Sequence, residues 1–283
     1  MGLKKPSWLR RSIPSGPEYE RVCSLLINSR LNTVCREAKC PNIGECFSQR
    51  IATFMIMGAR CTRNCRFCGV EHGIPAPPDP DEPARVAGAV FKLGLLYVTV
   101  TSVTRDDLPD GGAGLFAEVI AQIRQLNRKV SVEVLIPDFQ GDLDALEKVV
   151  SARPDVLNHN IETVPRLYFE ARPQADYGRS LDLLARAQGL DQNVRTKSGL
   201  MLGLGEREDE IQQVLTDLLR TGCHILTLGQ YLQPSRAHLP VARFVRPDEF
   251  DLWREKALEM GFSKVASGPF VRSSYHAREL ADN

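Results

Sequence analysis

Six cysteines crowd the stretch between positions 35 and 68, in two groups of three: Cys35, Cys40 and Cys46, then Cys61, Cys65 and Cys68. A buried free cysteine is only a small hydrophobe, so this density adds little to a core and points to something inorganic. In the second group, spacings of four and three residues let three thiolates converge from one short loop on a cubane cluster, whose four irons ordinarily take four thiolates. One iron is then left open. The apolar run Ile51-Ala-Thr-Phe-Met-Ile-Met57 leads straight into this loop and reads as a buried strand. The open iron then sits just past a strand's carboxyl end, where barrel enzymes keep their chemistry. The alternative is a zinc knob, which wants a fourth Cys or His ligand, and His72 is the only nearby candidate.

The run Cys61-Thr-Arg-Asn-Cys65-Arg-Phe-Cys68 resembles the CxxxCxxC signature of the radical S-adenosylmethionine (SAM) superfamily. That resemblance implies a 4Fe-4S cluster whose open iron takes the amino and carboxylate groups of SAM, then reduces it to a deoxyadenosyl radical. Cys35-Arg-Glu-Ala-Lys-Cys40-Pro-Asn-Ile-Gly-Glu-Cys46 is similar to the narrower CxxxxCPNxxEC signature of lipoyl synthases, which carry a second, auxiliary 4Fe-4S cluster. In that family the fourth ligand is a serine of a C-terminal RSSYxA motif, matched here by Arg272-Ser-Ser-Tyr-His-Ala277. Matching positions assigns the ligand to Ser274 and leaves its neighbour Ser273 open. A surface turn is the ordinary account of a lone Ser-Ser pair, but three motifs in one chain outweigh it.

The same resemblance marks the SAM contacts. Thr101-Ser-Val-Thr-Arg-Asp-Asp-Leu-Pro-Asp-Gly-Gly-Ala113 resembles the family's TSVxRDDLxDGGA segment, a strand end that meets the methionine amino group in related radical enzymes. Hydroxyls and carboxylates suit an ammonium, which only donates, so Thr101, Ser102, Arg105, Asp106 and Asp107 are the candidates. Some of them must also cap the next helix. His159-Asn-Ile-Glu162 resembles HNxET, in which Asn160 and Glu162 address the ribose hydroxyls or the methionine end. Arg172 is the candidate fork for the methionine carboxylate, with a surface ion pair as the rival account. Gly203 and Gly205 lack the GxGxxG spacing of a dinucleotide fingerprint. They read as the family's adenine-side backbone segment, where glycine lets the chain approach a flat ligand. No side chain is assigned the chemistry itself, which the clusters and SAM carry.

The elements that must hold these residues follow from hydrophobic periodicity. Six short β-rich runs alternate with amphipathic stretches: Ala52 to Met57, Leu95 to Thr101, Val130 to Ile136, Asp155 to Asn158, Asn193 to Met201 and Ile225 to Tyr231. Leu115, Phe116, Val119, Ile120, Ile123 and Leu126 repeat at helical spacing, as do Ile211, Val214, Leu215, Leu218 and Leu219. Pro247 opens a further helix to about Met260, with Asp248 and Glu249 in its first turn. Strand–helix alternation implies a parallel sheet, so the expected fold is α/β, an incomplete (β/α)6 barrel of the TIM type with N- and C-terminal extensions. Residues 1–50 are expected to form the extension with the auxiliary cysteines, 51–245 the radical SAM partial barrel, and 246–283 the extension with the serine ligand. Lys4, Lys5, Arg10 and Arg11 read as a solvated basic tip. The proline-rich run from Ile74 to Pro83 reads as a stiff connector.

Lys and Arg number 36 against 35 Asp and Glu, so nothing draws the chain to nucleic acid or an anionic membrane. No apolar run of membrane-spanning length occurs. Metal-type cysteine spacing without a secretory signal suits a reducing cytoplasm, and Cys23 and Cys223 read as packing residues. An unactivated alkyl C–H lies beyond any side-chain base, so a radical is required. The resemblance implies insertion of two sulfur atoms at carbons six and eight of a protein-bound octanoyl group, with sulfur from the auxiliary cluster. Expected partners are an octanoylated lipoyl domain of 2-oxoacid dehydrogenase acyltransferase subunits, or the glycine cleavage H protein, and a reductant such as ferredoxin or flavodoxin. Two alternatives stand beside this: a radical enzyme of the biotin synthase type, and an iron–sulfur protein that only carries electrons.

Overall fold

A computed structural model describes residues 4–11 and 13–281 of the chain. These residues gather in two compact units.

The first unit takes in Arg11–Arg63 and Gly69–Leu157. Its leading helix, α1 (Pro17–Asn28), starts with proline in its first turn, where the missing N–H costs no helix bond. A two-residue edge strand β1 (Asn32–Thr33) runs directly into a one-turn helix α2 (Val34–Glu37), and α3 (Ile43–Ser48) follows. Tyr19 of α1 meets Phe47 of α3 with ring centroids 5.7 Å apart, and Arg50 forks onto Glu18 at 2.7 and 3.1 Å. Strand β2 (Thr53–Ile56) is buried at all four positions, as suits a parallel strand covered on both faces. Ile51 is exposed, so the strand is shorter than the apolar run suggests.

Beyond β2 come a small parallel pair, β3 (Arg60–Cys61) and β4 (Glu71–His72), then α4 (Glu82–Leu93), β5 (Tyr97–Ser102), α5 (Ala113–Leu126), β6 (Ser131–Leu135), α6 (Leu143–Ser151) and β7 (Val156–Asn158). β1 lies antiparallel on β2, while β2, β5 and β6 are parallel neighbours. The periodic apolar face of α5 is buried through Phe116, Val119, Ile120 and Ile123, and each such side chain contributes about 1.5–3 kcal/mol by leaving water.

The second unit takes in the chain up to Arg10, Asn64–Cys68 and Asn158 onward. It holds α7 (Tyr168–Ala171), α8 (Tyr177–Leu190), β8 (Arg195–Leu202), α9 (Glu208–Arg220), β9 (Ile225–Gln230), α10 (Pro247–Met260), β10 (Lys264–Gly268) and α11 (Ala277–Ala281). β8, β9 and β10 are parallel, in register from Lys197 against Ile225 and Ile225 against Lys264. β10 is additional to the six expected strands.

Gly229 on β9 shows how the C-terminal segment is seated. A Cβ there would stand 2.2 Å from the Val271 carbonyl oxygen, so only glycine lets that backbone pass. Gly229→Ala is expected to lift the segment, costing at least about 1–3 kcal/mol by overpacking. Calorimetry should then record a melting temperature lower by several degrees. In Gly189→Ala, by contrast, the new methyl meets nothing within 4 Å inside α8, so stability should rise by about 0.5–1 kcal/mol. An unchanged melting temperature for Gly229→Ala would contradict the tight seat.

Candidate active site

The first cysteine group is assembled within the first unit by very short elements. Thr33 caps α2 by accepting the Arg36 backbone N–H at 3.4 Å, which turns Cys35 inward to 6% exposure. The chain returns through Lys39 in a left-handed conformation, and the Cys40 N–H closes on the Cys35 carbonyl at 3.0 Å. On α3 the Cys46 N–H bonds the Asn42 carbonyl at 2.9 Å. The three thiols are close enough to influence one another. Burial, then the neighbouring Cys40, pushes Cys35 up to about 11; burial, then Cys35 and Cys40, pushes Cys46 up to about 12. Arg11 opposes this at Cys46 while bonding Asn42 at 3.4 Å and Glu45 at 3.1 Å. Arg11, although exposed, is therefore tied to the cysteine group.

The strand-to-loop junction before Cys61 is equally fixed. Met57 is left-handed; its N–H donates to the buried Glu82 carboxylate at 2.7 Å, and its carbonyl accepts from Arg105 at 3.4 Å. Burial raises the Glu82 pKa. Arg105 also forks onto Asp107 at 2.8 and 2.8 Å, holding that carboxyl below its usual range. Beyond Met57, the Cys61 sulfur accepts the Thr104 N–H at 3.2 Å, and the Thr62 hydroxyl donates to the Thr104 carbonyl at 2.9 Å. The Asp106 N–H returns to the Thr62 hydroxyl at 3.1 Å. Arg105, Asp106 and Asp107 thus all have protein partners, Asp106 through Arg63 at 2.6 and 2.9 Å. Thr101 gives its hydroxyl to the Leu135 carbonyl at 2.9 Å, whereas the buried Ser102 Oγ has no partner among the described residues.

Cys65 and Cys68 belong to the second unit, joined by a Cys68 N–H to Cys65 carbonyl bond of 3.0 Å. Their loop is held from two sides: the Arg66 N–H bonds the Ala171 carbonyl at 2.8 Å, and the Leu239 N–H bonds the Arg66 carbonyl at 3.0 Å. His238 joins its Nε2 to the Cys68 carbonyl at 2.9 Å and its Nδ1 to Ser235 at 2.8 Å. Phe67 packs against the apolar cluster of Ala171, Tyr231 and Leu239, next to Met201 and Leu204.

Asn160, Glu162 and Arg172 come together in the same unit. Glu162 is left-handed and half-buried, locked by its N–H on the Gly199 carbonyl and its own carbonyl on the Met201 N–H, both 2.9 Å. Non-glycine residues hold such a conformation only where their surroundings enforce it, most often at functional sites. Burial raises the Glu162 pKa against the pull of Arg172 and an Asn160 amide bond of 3.1 Å. Arg172 is 8% exposed and stacks over Tyr168 at 5.3 Å. One terminal nitrogen is spent on the Asn160 carbonyl at 3.0 Å and the Tyr168 hydroxyl at 3.1 Å. Its Nε, like the Asn160 Oδ1, is buried without a partner among the described residues. Burial works against its charge, but Tyr168, Glu162 and Cys65 more than offset this, so its pKa is raised. The Gly203 peptide is fully used: Glu206 accepts its N–H, and the Ala242 N–H donates to its carbonyl at 2.8 Å. Gly205 has open space except for the Ala242 methyl at 3.7 Å. Ser273 and Ser274 lie half-buried in the turn before α11.

The chain matches the radical SAM superfamily over residues 55–218 and the N-terminal domain of lipoyl synthase of the radical SAM family over residues 2–40. It is 59% identical over 280 residues to lipoyl synthase from Desulfotalea psychrophila, a match covering 99% of this chain and 94% of that one. This chain belongs to the lipoyl synthase family. Lipoyl synthase from Haemophilus influenzae is 56% identical over 277 residues, covering 97% of this chain and 87% of that one.

Solved structures share the fold alone. SuiB from Streptococcus suis bound to S-adenosylmethionine has a TM-score of 0.58 at 11% identity, over 80% of this chain and 53% of that one. Coproporphyrinogen III oxidase from Escherichia coli has a TM-score of 0.53 at 13% identity, over 73% and 51%. As a member of the lipoyl synthase family the chain is a radical SAM sulfurtransferase, with two 4Fe-4S clusters and SAM as cofactors. Its fold is α/β, of the incomplete TIM-type barrel kind, with a mostly parallel sheet. No described helix is long and apolar enough to cross a membrane.

The residues present fit these groups. Thiolates are the soft donors that iron–sulfur clusters take, and a backbone N–H already points at the Cys61 sulfur. Among the described residues no three His, Cys, Asp or Glu side chains converge on a single metal ion. A cubane does not ask this of them, because each thiolate takes its own iron. The unpartnered Ser102 Oγ, Asn160 Oδ1 and Arg172 Nε are buried polar atoms of the kind a polar ligand satisfies.

Proposed function

We propose that Cys35, Cys40, Cys46 and Ser274 hold the auxiliary cluster, and that Cys61, Cys65 and Cys68 hold the SAM-binding one. The activity is the family's: insertion of two sulfur atoms at carbons six and eight of an octanoyl group on a carrier protein, with sulfur supplied by the auxiliary cluster. The observation that carries the ligand assignment is the gathering of Cys35 on the four-residue α2, Cys40 just after it and Cys46 on the six-residue α3, near enough for the thiols to influence one another. When bound, the clusters and SAM supply the electron, the radical and the sulfur. The protein's own residues orient and exclude. Ser102, with Thr101 beside it, takes the methionine amino group; Arg172 offers its free edge to the carboxylate; Asn160 and Glu162 take ribose hydroxyls. The Gly203–Gly205 turn lets the flat adenine approach the chain closely, for which the space beside Gly205 is the support. Arg105, Asp106 and Asp107 hold the loops through the bonds described above.

We read the sequence in three functional parts: 1–50 with the auxiliary cysteines, 51–245 the radical barrel, and 246–283 with Ser274. Its carriers are octanoylated lipoyl domains of 2-oxoacid dehydrogenases or the glycine cleavage H protein, its reductant is a ferredoxin or flavodoxin, and its place is the cytoplasm. The test is iron and acid-labile sulfide per chain after anaerobic reconstitution. A variant with Cys35, Cys40 and Cys46 all changed to Ala should lose about half of both, as two four-iron clusters require. Equal iron in variant and wild type would refute the assignment of the first group.

A further inference from the structure

We infer that Arg63 is the positioning residue that preforms the radical-cluster loop before any iron arrives; this rests on the assignment of Cys61, Cys65 and Cys68 to that cluster. Arg63 lies midway between Cys61 and Cys65, yet its side chain is only 4% exposed. Its Nε and Nη2 fork onto Asp106 at 2.6 and 2.9 Å, and Nη2 also bonds Asp138 at 2.6 Å. Asp138 is fully buried and spends the same oxygen on the Gln140 N–H at 3.1 Å, which caps the short helical turn after β6. One guanidinium therefore joins the cysteine loop to the segments following both β5 and β6. A charge so placed would be costly without its counter-ions, and two carboxylates meet it here.

The Cys61 sulfur, the Thr62 hydroxyl and the Thr62 N–H hold the start of the loop to the segment after β5. Arg63 adds the tie to Asp138. A fork of this kind needs the planar guanidinium; lysine keeps the charge but offers a single nitrogen. With the loop pinned at Arg63, the conformational freedom of the chain between the first two cysteines is given up on folding rather than on cluster binding, which is how a preorganised site gains affinity.

The test compares wild type with Arg63→Lys and Asp138→Asn. In the metal-free chains, the rate of Cys61 alkylation by iodoacetamide, read by peptide mass spectrometry, is expected to rise at least about tenfold in each variant, the change that an opened loop gives. After reconstitution, total iron should fall toward half, with the auxiliary share retained and the radical-cluster signal in electron paramagnetic resonance diminished. Unchanged alkylation together with full iron would overturn the inference. So would loss of both clusters, since Arg63 would then hold the fold and not the loop. If wild type itself proves to hold no cluster on Cys61, Cys65 and Cys68, the underlying assignment falls, and the alkylation rates still report whether Arg63 holds the loop.

Discussion

Changing Cys65 to alanine is expected to abolish reductive cleavage of SAM while leaving about half of the iron in place. A cubane with three protein ligands keeps one iron free for a substrate; with two it loses a corner it needs to persist. Cys65 also acts on Arg172, after Tyr168 and Glu162, to favour its charge, so its loss weakens that support of the proposed carboxylate fork. Deoxyadenosine, measured by chromatography after dithionite reduction, should drop to background. The auxiliary cysteines belong to the first unit and Cys65 to the second, so auxiliary iron should remain. Residual deoxyadenosine from this variant would place the reactive cluster elsewhere.

Ser274→Ala is expected to separate the two half-reactions. SAM cleavage should remain largely intact, because its cysteines and proposed contacts are untouched, while lipoyl product falls to background. An alkoxide is a harder donor than a thiolate and a poorer match for cluster iron, so it suits a ligand that is released as the cluster is dismantled. Ser274→Cys should therefore retain auxiliary iron but form product slowly. Ser273→Ala serves as the neighbour control and should behave like wild type. A normal product yield from Ser274→Ala would sink the ligand assignment, and a dead Ser273→Ala with an active Ser274→Ala would transfer it one residue.

Five of the six expected strands carry two or more β-branched residues each; the sixth, Asp155–Asn158, carries only Val156 and forms just the three-residue β7. Asn193–Met201 became Arg195–Leu202 and Ile225–Tyr231 became Ile225–Gln230, shifts of one or two residues. Helix α10 starts at Pro247 and ends at Met260, as its first-turn signals require. β10 went unseen because Lys264-Val-Ala-Ser-Gly268 has a single β-branched residue and no alternation. The two cysteine groups stand out in the sequence because their spacing is local. Arg63 does not: a lone arginine in a loop reads as surface, and Asp138 stands 75 residues away with nothing nearby to announce it. Glu82 looked like the end of a proline-rich connector until its carboxylate was found on the Met57 N–H. The ties of the exposed Arg11 were hidden for the same reason, its partners being 31 and 34 residues on.

The placement of Cys35 has a consequence for wear. An enzyme that gives up sulfur from its own cofactor in each round must be refitted without being taken apart. Here the cysteines proposed to hold the donor follow a two-residue edge strand, Cys35 and Cys46 on helices of four and six residues and Cys40 between them, outside the parallel ladder that begins at β2. Emptying that corner breaks no bond between β2, β5 and β6. The spent chain can wait for repair with its scaffold standing, and the refill needs to reorganise only a fringe of the molecule.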